Sequence, residues 1–311
     1  MIKIETGLSL RDFSTFRIGG EVAGLVRIKN EEDLQAFFQL INKEKRDFFI
    51  LGGGSNVLFR DDYWHRLVAK IENDQKLVFK NEKIICGAGV TLAKLVNYAY
   101  EEGLTGLEWA VGIPGTVGGA IRGNAGAFGG QMADSVEQVV AWEWKEGVVK
   151  KRTFLYQDCR FGYRESLFKE EKNFLIWEVK LSLNFGKKEA IRKRMAELLM
   201  QRKKTQPKLN QFPSLGSIFK NPMAPKEIIA LFEKEKQTKV KNHKVPAGWL
   251  IEKCKLKGQR IGDAQVSQLQ ANFIVNLGQA KANEVQQLIT LIKEKVWQEF
   301  RIQLEEEIEI C

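Results

Sequence analysis

The chain alternates between two hydrophobic periods, and each change of period marks an element. Residues 22–28 are an apolar run that reads as a strand. Asn30 is placed to cap a helix carrying Leu34, Phe37, Phe38 and Ile41 on one face. Residues 48–51 (FFIL) predict a short buried strand, residues 67–71 another, and residues 76–79 and 83–86 a hairpin around Asn81. Thr91 caps a helix reaching about Glu102, closed by Gly103. A long glycine-rich loop follows. Residues 136–144, 148–154 and 174–185 then read as strands, the last strongly alternating. Between Gly186 and Lys187 the period turns helical. Helices are predicted over 188–204, 225–236, 246–253 and 282–300, with a short strand at 272–276 and a final strand at 302–310. In that last strand Ile302, Leu304, Ile308 and Ile310 share one face, as period 2 requires. Glu306 falls on the same face, which hints at a kink.

At 311 residues the expectation is two domains, with three small ones as the alternative. No segment approaches 18 uncharged apolar residues, so no transmembrane helix is expected. The N-terminal MIKIETGLSLRDF has no apolar stretch of the kind that directs export, which points to the cytoplasm. Cys86, Cys159, Cys254 and Cys311 lie far apart without metal-ligand spacing, and His65 and His243 stand in unrelated contexts. A metal site and Ser-His-Asp chemistry are both disfavoured. The net charge of +10 suits either nucleic acid or an anionic small substrate. The densest basic run, residues 187–208, sits on a predicted helix with Ile191, Met195, Leu198 and Leu199 as its apolar positions. No aromatics interleave with these charges, so a solvated helix face is preferred to a nucleic-acid platform.

Two glycine clusters carry the first chemical signal. Ten of the chain's 27 glycines lie between Gly103 and Gly130. The other cluster is residues 51–58, LGGGSNVL, directly after the 48–51 strand. Glycine adds backbone entropy and packs nothing, so such density implies special backbone angles or close approach to a ligand. A phosphate-bearing or planar ligand touching both clusters is the economical reading, with unrelated tight turns as its rival. Neither cluster matches the P-loop or the G-x-G-x-x-G fingerprint.

Three further segments can carry chemistry. In residues 159–168 (CRFGYRESLF), Arg164 beside Tyr163 can hold a carboxylate or make a structural ion pair. In residues 213–222 (PSLGSIFKNP), Ser217 lacks a base for nucleophilic work but can donate a proton, and Lys220 and Asn221 can meet phosphate. A rigid turn is the alternative there. In the terminal IQLEEEIEI, Glu305, Glu307 and Glu309 face away from the apolar side, and a solvated edge strand explains them equally well.

Taken in order, these segments resemble the UDP-N-acetylenolpyruvoylglucosamine reductases, the MurB flavoenzymes. The matching stretches are STFRIGG at 14–20, LGGGSNVL at 51–58, GIPGTVGGA at 112–120, NAGAFG at 124–129, FGYRES at 161–166, GSIFKNP at 216–222, GWLIE at 248–252, GDAQVS at 262–267 and NFIVN at 272–276, with residues 304–308 last. The resemblance implies an α+β architecture. A two-subdomain FAD-binding fold of the vanillyl-alcohol-oxidase (PCMH) type would span 1–186, with subdomains at about 1–72 and 73–186. A C-terminal α/β substrate-binding domain would span 187–311. It implies non-covalent FAD held by Gly52, Gly53, Gly54, Ser55 and Asn56. From the second cluster it adds Ile113, Pro114, Gly115, Thr116, Gly118 and Gly119, then Gly123, Asn124, Ala125 and Gly126. It implies NADPH as electron donor and hydride delivery to C3 of the enolpyruvyl ether of UDP-N-acetylglucosamine, followed by protonation at C2 to give UDP-N-acetylmuramate.

Carried over by position, Ser217 would donate that proton, Arg164 would bind the substrate carboxylate and Glu307 would assist. Tyr163, Lys220 and Asn221 would touch the diphosphate or the sugar. A monomer with no nucleic-acid partner and no membrane insertion is expected. Another FAD-dependent oxidase or dehydrogenase of the same fold is the alternative. The chain departs from the family at the terminal motif, Leu-Glu-Glu-Glu-Ile where Leu-Glu-Pro-Glu-Val is usual, which makes Glu306 a competitor to Glu307. Gln270 stands where His is frequent and Lys255 where Gly is common. The short stretch between Gly186 and Ser217 resembles the subgroup lacking an extra substrate-covering insertion.

Overall fold

The computed structural model describes residues 2–80 and 83–311. By internal contacts the chain forms two compact units. The first takes the residues up to Leu8, Val22–Gly54 and Trp64–Arg202; the second takes Ser9–Glu21, Ser55–Tyr63 and Lys203–Cys311. The boundary expected after Gly186 therefore lies inside the first unit, which continues through most of the helix Lys188–Thr205.

The first unit is built on two sheets. In the smaller one, Phe48–Leu51 and Glu21–Ile28 flank Trp64–Ile71 and pair with it in parallel. The helix Glu31–Glu44 makes the crossover between Glu21–Ile28 and Phe48–Leu51. Its Asn30 cap is formed as expected, with the side chain accepting from Asp33 N–H at 2.8 Å, and Leu34, Phe37, Phe38 and Ile41 are buried. The larger sheet is antiparallel, ordered Val148–Leu155, Val136–Lys145, Phe174–Ser182, Lys83–Gly87, Leu77–Lys80. The turn expected around Asn81 lies outside the described residues. Thr91 caps the helix Leu92–Glu101, and Gly103 follows it at φ 70°.

One expectation here fails. The strand predicted over 174–185 stops at Ser182, and Asn184–Phe185 pairs separately with Leu104–Thr105. Its first four residues are buried on both faces, so period 2 is visible only in the second half.

The second unit has its own core. A three-stranded antiparallel sheet, Arg260–Ile261, Ala264–Val266 and Ile274–Asn276, packs against the helix Ala282–Phe300. Phe16 and Ile18 of the STFRIGG segment are buried in this core. The segment is tied there by Thr15 Oγ1 donating to Ser214 O at 2.8 Å and by Asn276 Nδ2 donating to Phe16 O at 3.0 Å. The predicted 302–310 strand shrinks to Glu309–Ile310, which runs parallel to Val57–Leu58. Ile302, Leu304 and Ile308 are buried as predicted, whereas Ile310 is exposed. The kink signalled by Glu306 is a bend at Glu307 and Ile308.

Candidate active site

The two glycine clusters meet inside the first unit. A Cβ at Gly53 would lie 2.5 Å from Gly115 Cα, and one at Gly52 would lie 2.6 Å from Thr116 Oγ1. Both distances are closer than a Cβ tolerates, so the approach needs glycine at 52, against the Thr116 side chain, and at 53, against the Gly115 backbone. Other glycines serve the same internal packing. A Cβ at Gly118 would strike the Ala88 Cβ at 2.8 Å, and one at Gly126 would strike Gly130 O at 2.7 Å. Gly119 and Gly123 differ, since a Cβ there would meet only ordinary contacts at 3.7 Å. Much of the glycine density therefore packs backbone on backbone, and sequence alone could not separate that demand from ligand approach.

The junction nevertheless keeps a demand for a ligand. Thr116 is 6% exposed, and its Oγ1 is buried with no hydrogen-bond partner among the described residues. An orphaned buried hydroxyl is costly unless something outside the chain completes it. Beside it, Lys70 Nζ donates to Gly52 O. Lys70 is the register partner of Leu51, at the carboxyl end of the parallel pair, where α/β sheets place their ligands. Burial lowers the pKa of its ammonium, partly opposed by Glu72. Lys70 was not foreseen from sequence, because nothing in its spacing distinguishes it from a surface lysine. An unsatisfied hydroxyl and a half-buried ammonium beside glycine backbone fit the diphosphate of FAD.

Arg164 stands in a tight turn of the same unit. Gly162 N–H donates to Glu165 O at 3.0 Å, and Glu165 N–H returns a bond to Gly162 O at 3.3 Å. Arg164 takes φ 61°, the left-handed region that non-glycine residues avoid. Its Nη2 donates to Gly126 O at 2.6 Å, and its guanidinium lies 5.2 Å from the Tyr163 ring centroid. Asn124, expected to touch the cofactor, has its side chain engaged within the protein: Nδ2 donates to Gly162 O at 2.8 Å and Oδ1 accepts from Ala133 N–H at 3.0 Å.

Arg202, grouped by sequence with a solvated basic run, is half-buried. Its guanidinium donates to Val111 O at 2.9 Å and Trp109 O at 3.0 Å and lies 4.7 Å from the Phe128 ring centroid. Burial lowers its pKa.

The second unit brings Ser217 and Glu307 onto neighbouring extended segments. Ser217 bridges Phe273, and Phe219 bridges Glu306. Glu307 N–H donates to Ile218 O at 2.7 Å, and Asn56 Nδ2 donates to Glu307 O at 3.1 Å. Asn272 clasps the serine segment, accepting from Phe219 N–H at 3.0 Å and donating to Phe219 O at 2.8 Å. Lys220 is 9% exposed and pairs with Glu305 at 2.5 Å. Asn221 Oδ1 accepts from Ala247 N–H at 3.0 Å, at the start of the helix Ala247–Lys253. Glu306 holds Lys293 through both oxygens, at 2.9 and 3.2 Å. Glu305 and Glu306 thus each pair with a lysine.

Cys86 and Cys159 are pushed up to about 12 and Cys254 to about 11, each chiefly by burial. Such thiols stay protonated near neutral pH and are poor nucleophiles.

A family profile described as "UDP-N-acetylenolpyruvoylglucosamine reductase, C-terminal domain" matches residues 206–311, and one described as "FAD binding domain" matches residues 22–150. A UDP-N-acetylenolpyruvoylglucosamine reductase of Fervidobacterium nodosum is 36% identical over 97% of this chain and 89% of its own length. Its counterpart in Alkaliphilus oremlandii is 36% identical over 97% of this chain and 91% of its own. The crystal structure of the reductase (MurB) from Thermus caldophilus superposes with a TM-score of 0.77 at 34% identity, covering 100% of this chain and 99% of that one. The expected fold, an FAD-binding part of PCMH type followed by a C-terminal α/β part, is thereby met. With both parts matched in order and the relatives aligned almost end to end, the chain belongs to the UDP-N-acetylenolpyruvoylglucosamine reductase (MurB) family.

Proposed function

We propose that this chain reduces the enolpyruvyl group of UDP-N-acetylglucosamine enolpyruvate to the lactyl ether of UDP-N-acetylmuramate, with NADPH as electron donor and FAD bound without a covalent link. The observation that carries the chemistry is the pairing of the Ser217 segment with the Glu307 segment, 90 residues apart in sequence, by the 2.7 Å bond from Glu307 N–H to Ile218 O. FAD, when bound, supplies the hydride chemistry between NADPH and substrate carbon C3. The Thr116 hydroxyl, Lys70 and the backbone of the two glycine clusters would hold its diphosphate.

Hydride addition at C3 leaves an electron pair at C2, delocalised into the adjacent carboxylate. Arg164 fits the task of holding that carboxylate, since a fixed guanidinium stabilises charge as it develops without having to reorganise. Ser217 Oγ–H fits the task of giving the proton to C2, after which solvent restores it. Glu307 fits the supporting carboxylate better than Glu306, whose oxygens hold Lys293. Lys220, Asn221 and Tyr163 are assigned to the nucleotide or sugar, the first two from positions stiffened by Glu305 and Ala247. On this reading the first unit is the FAD-binding domain and the second the substrate-binding domain. The protein works as a monomer on small molecules in the bacterial cytoplasm, with no nucleic-acid partner. No helix among the described residues is long and apolar enough to cross a membrane.

The test is NADPH oxidation by the purified flavoprotein. Turnover should depend on UDP-N-acetylglucosamine enolpyruvate, with one substrate reduced per NADPH. Equal NADPH consumption without it, with oxygen as the acceptor, or reduction of the flavin by an unrelated alcohol in place of NADPH, would make the chain a different flavin enzyme of this fold.

A further inference from the structure

The turn that presents Arg164 is gripped from below by a residue of the glycine loop, and we infer that Asn124 is a positioning residue for Arg164. The inference rests on the assignment of Arg164 to the substrate carboxylate.

Asn124 is 1% exposed. Its Nδ2 donates to Gly162 O at 2.8 Å and to Gln131 Oε1 at 3.0 Å, and its Oδ1 accepts from Ala133 N–H at 3.0 Å. Both amide hydrogens therefore have partners within the protein. Gly162 is the first residue of the turn whose third residue is Arg164. Two residues beyond Asn124, Gly126 O accepts from Arg164 Nη2 at 2.6 Å. A Cβ on Gly126 would stand 3.1 Å from Arg164 Nη1, so only glycine lets the guanidinium approach this backbone without a push. Residues 124–126 thus fix Arg164 at two points, the base of its turn and the tip of its side chain.

The two points do different work. Gly126 fixes where the guanidinium lies, and Asn124 fixes the direction from which it arrives. Arg164 sits at φ 61°, a conformation that is strained for a non-glycine residue and persists only where its surroundings impose it. Removing the bond to Gly162 O releases one constraint on that strained turn. A guanidinium recognises carboxylate by orientation as well as distance, so a small pivot weakens substrate alignment without touching the cofactor.

The holoenzyme variant Asn124→Asp preserves size and the acceptor for Ala133 N–H but cannot donate to Gly162 O when ionised. The expected result is a rise of about tenfold in KM for UDP-N-acetylglucosamine enolpyruvate and a similar slowing of flavin reoxidation by it, with FAD affinity and flavin reduction by NADPH within about twofold of wild type. Because Asn124 acts through Arg164, adding N124D to Arg164→Lys should cost little beyond R164K alone. Additive losses, equal losses in both half-reactions, weakened FAD binding or wild-type behaviour would each overturn the inference. If N124D does not accumulate as flavoprotein, Asn124→Ser is judged by the same ratios; failure of both to fold assigns Asn124 to the fold and overturns it too. R164K with undiminished reoxidation would overturn the Arg164 assignment instead, so the two failures are distinguishable.

Discussion

The glycine junction of the first unit and the serine–glutamate segments of the second solve the same problem in opposite ways. In the first unit, chain segments are fixed by omitting side chains: Gly53 meets Gly115, and Gly126 meets Arg164, because nothing intervenes. In the second unit, segments are fixed by adding side chains. Asn272 clasps residue 219 by two bonds, Lys220 reaches Glu305, and Lys293 reaches Glu306. Omission gives a surface on which a large flat or phosphorylated ligand can lie against bare backbone. Addition gives a stiff frame around the Ser217 segment. On the proposed function, cofactor holding would fall to the first kind of packing and proton delivery to the second.

Three substitutions test that contrast. The largest effect is expected from Ser217→Ala, which should slow flavin reoxidation by substrate by about 10²–10⁴-fold, the usual contribution of a positioned acid. Stopped-flow absorbance should show flavin reduction by NADPH nearly intact; equal loss in both half-reactions would end the division of labour. Next comes Gly53→Ala. The added methyl must displace Gly115 backbone, at a cost of about 1–3 kcal/mol and with weaker FAD retention. Thermal melting and the flavin content of the purified protein check it, and an unchanged protein would mean the junction is looser than its geometry. The smallest effect is Lys255→Gly. Lys255 follows the helix Ala247–Lys253 at φ 58°, the position where a helix commonly ends on a left-handed glycine. Relief of that strain should add up to about 1 kcal/mol and raise Tm by about 2 °C. A fall in Tm would show that the lysine side chain compensates for its backbone.

The Lys255 case shows what kind of information sequence held. Comparison with the family flagged the position, but only the backbone conformation, φ 58°, gave the reason. The helices were legible because capping and one-faced burial are local: Asn30, Thr91 and the apolar stripe of Ile191 and Leu198 behave as expected. The strand ends were less legible. Residues 183–185 keep the period of a strand, yet Asn184–Phe185 pairs with Leu104–Thr105, which no local pattern announces. Glu306 was legible as a fault in the alternation, and the fault is a bend with a buried-side carboxylate neutralised by Lys293. The resemblance assigns Asn56 and Asn124 to the cofactor, and their side-chain amides reach Glu307 O and Gly162 O. Their partners lie 251 and 38 residues away, beyond any spacing argument.

By itself the sequence determined the helices, the two glycine clusters, the scarcity of His and Cys and, through the order of its motifs, the family. These depend on residue type and near-neighbour period, which the chain carries wherever it folds. The tertiary structure decided which glycines pack against backbone and which leave room, which glutamates are already paired, and which polar residues hold others in place. Those properties belong to pairs of atoms distant in sequence, and close packing fixes them only once both partners have arrived.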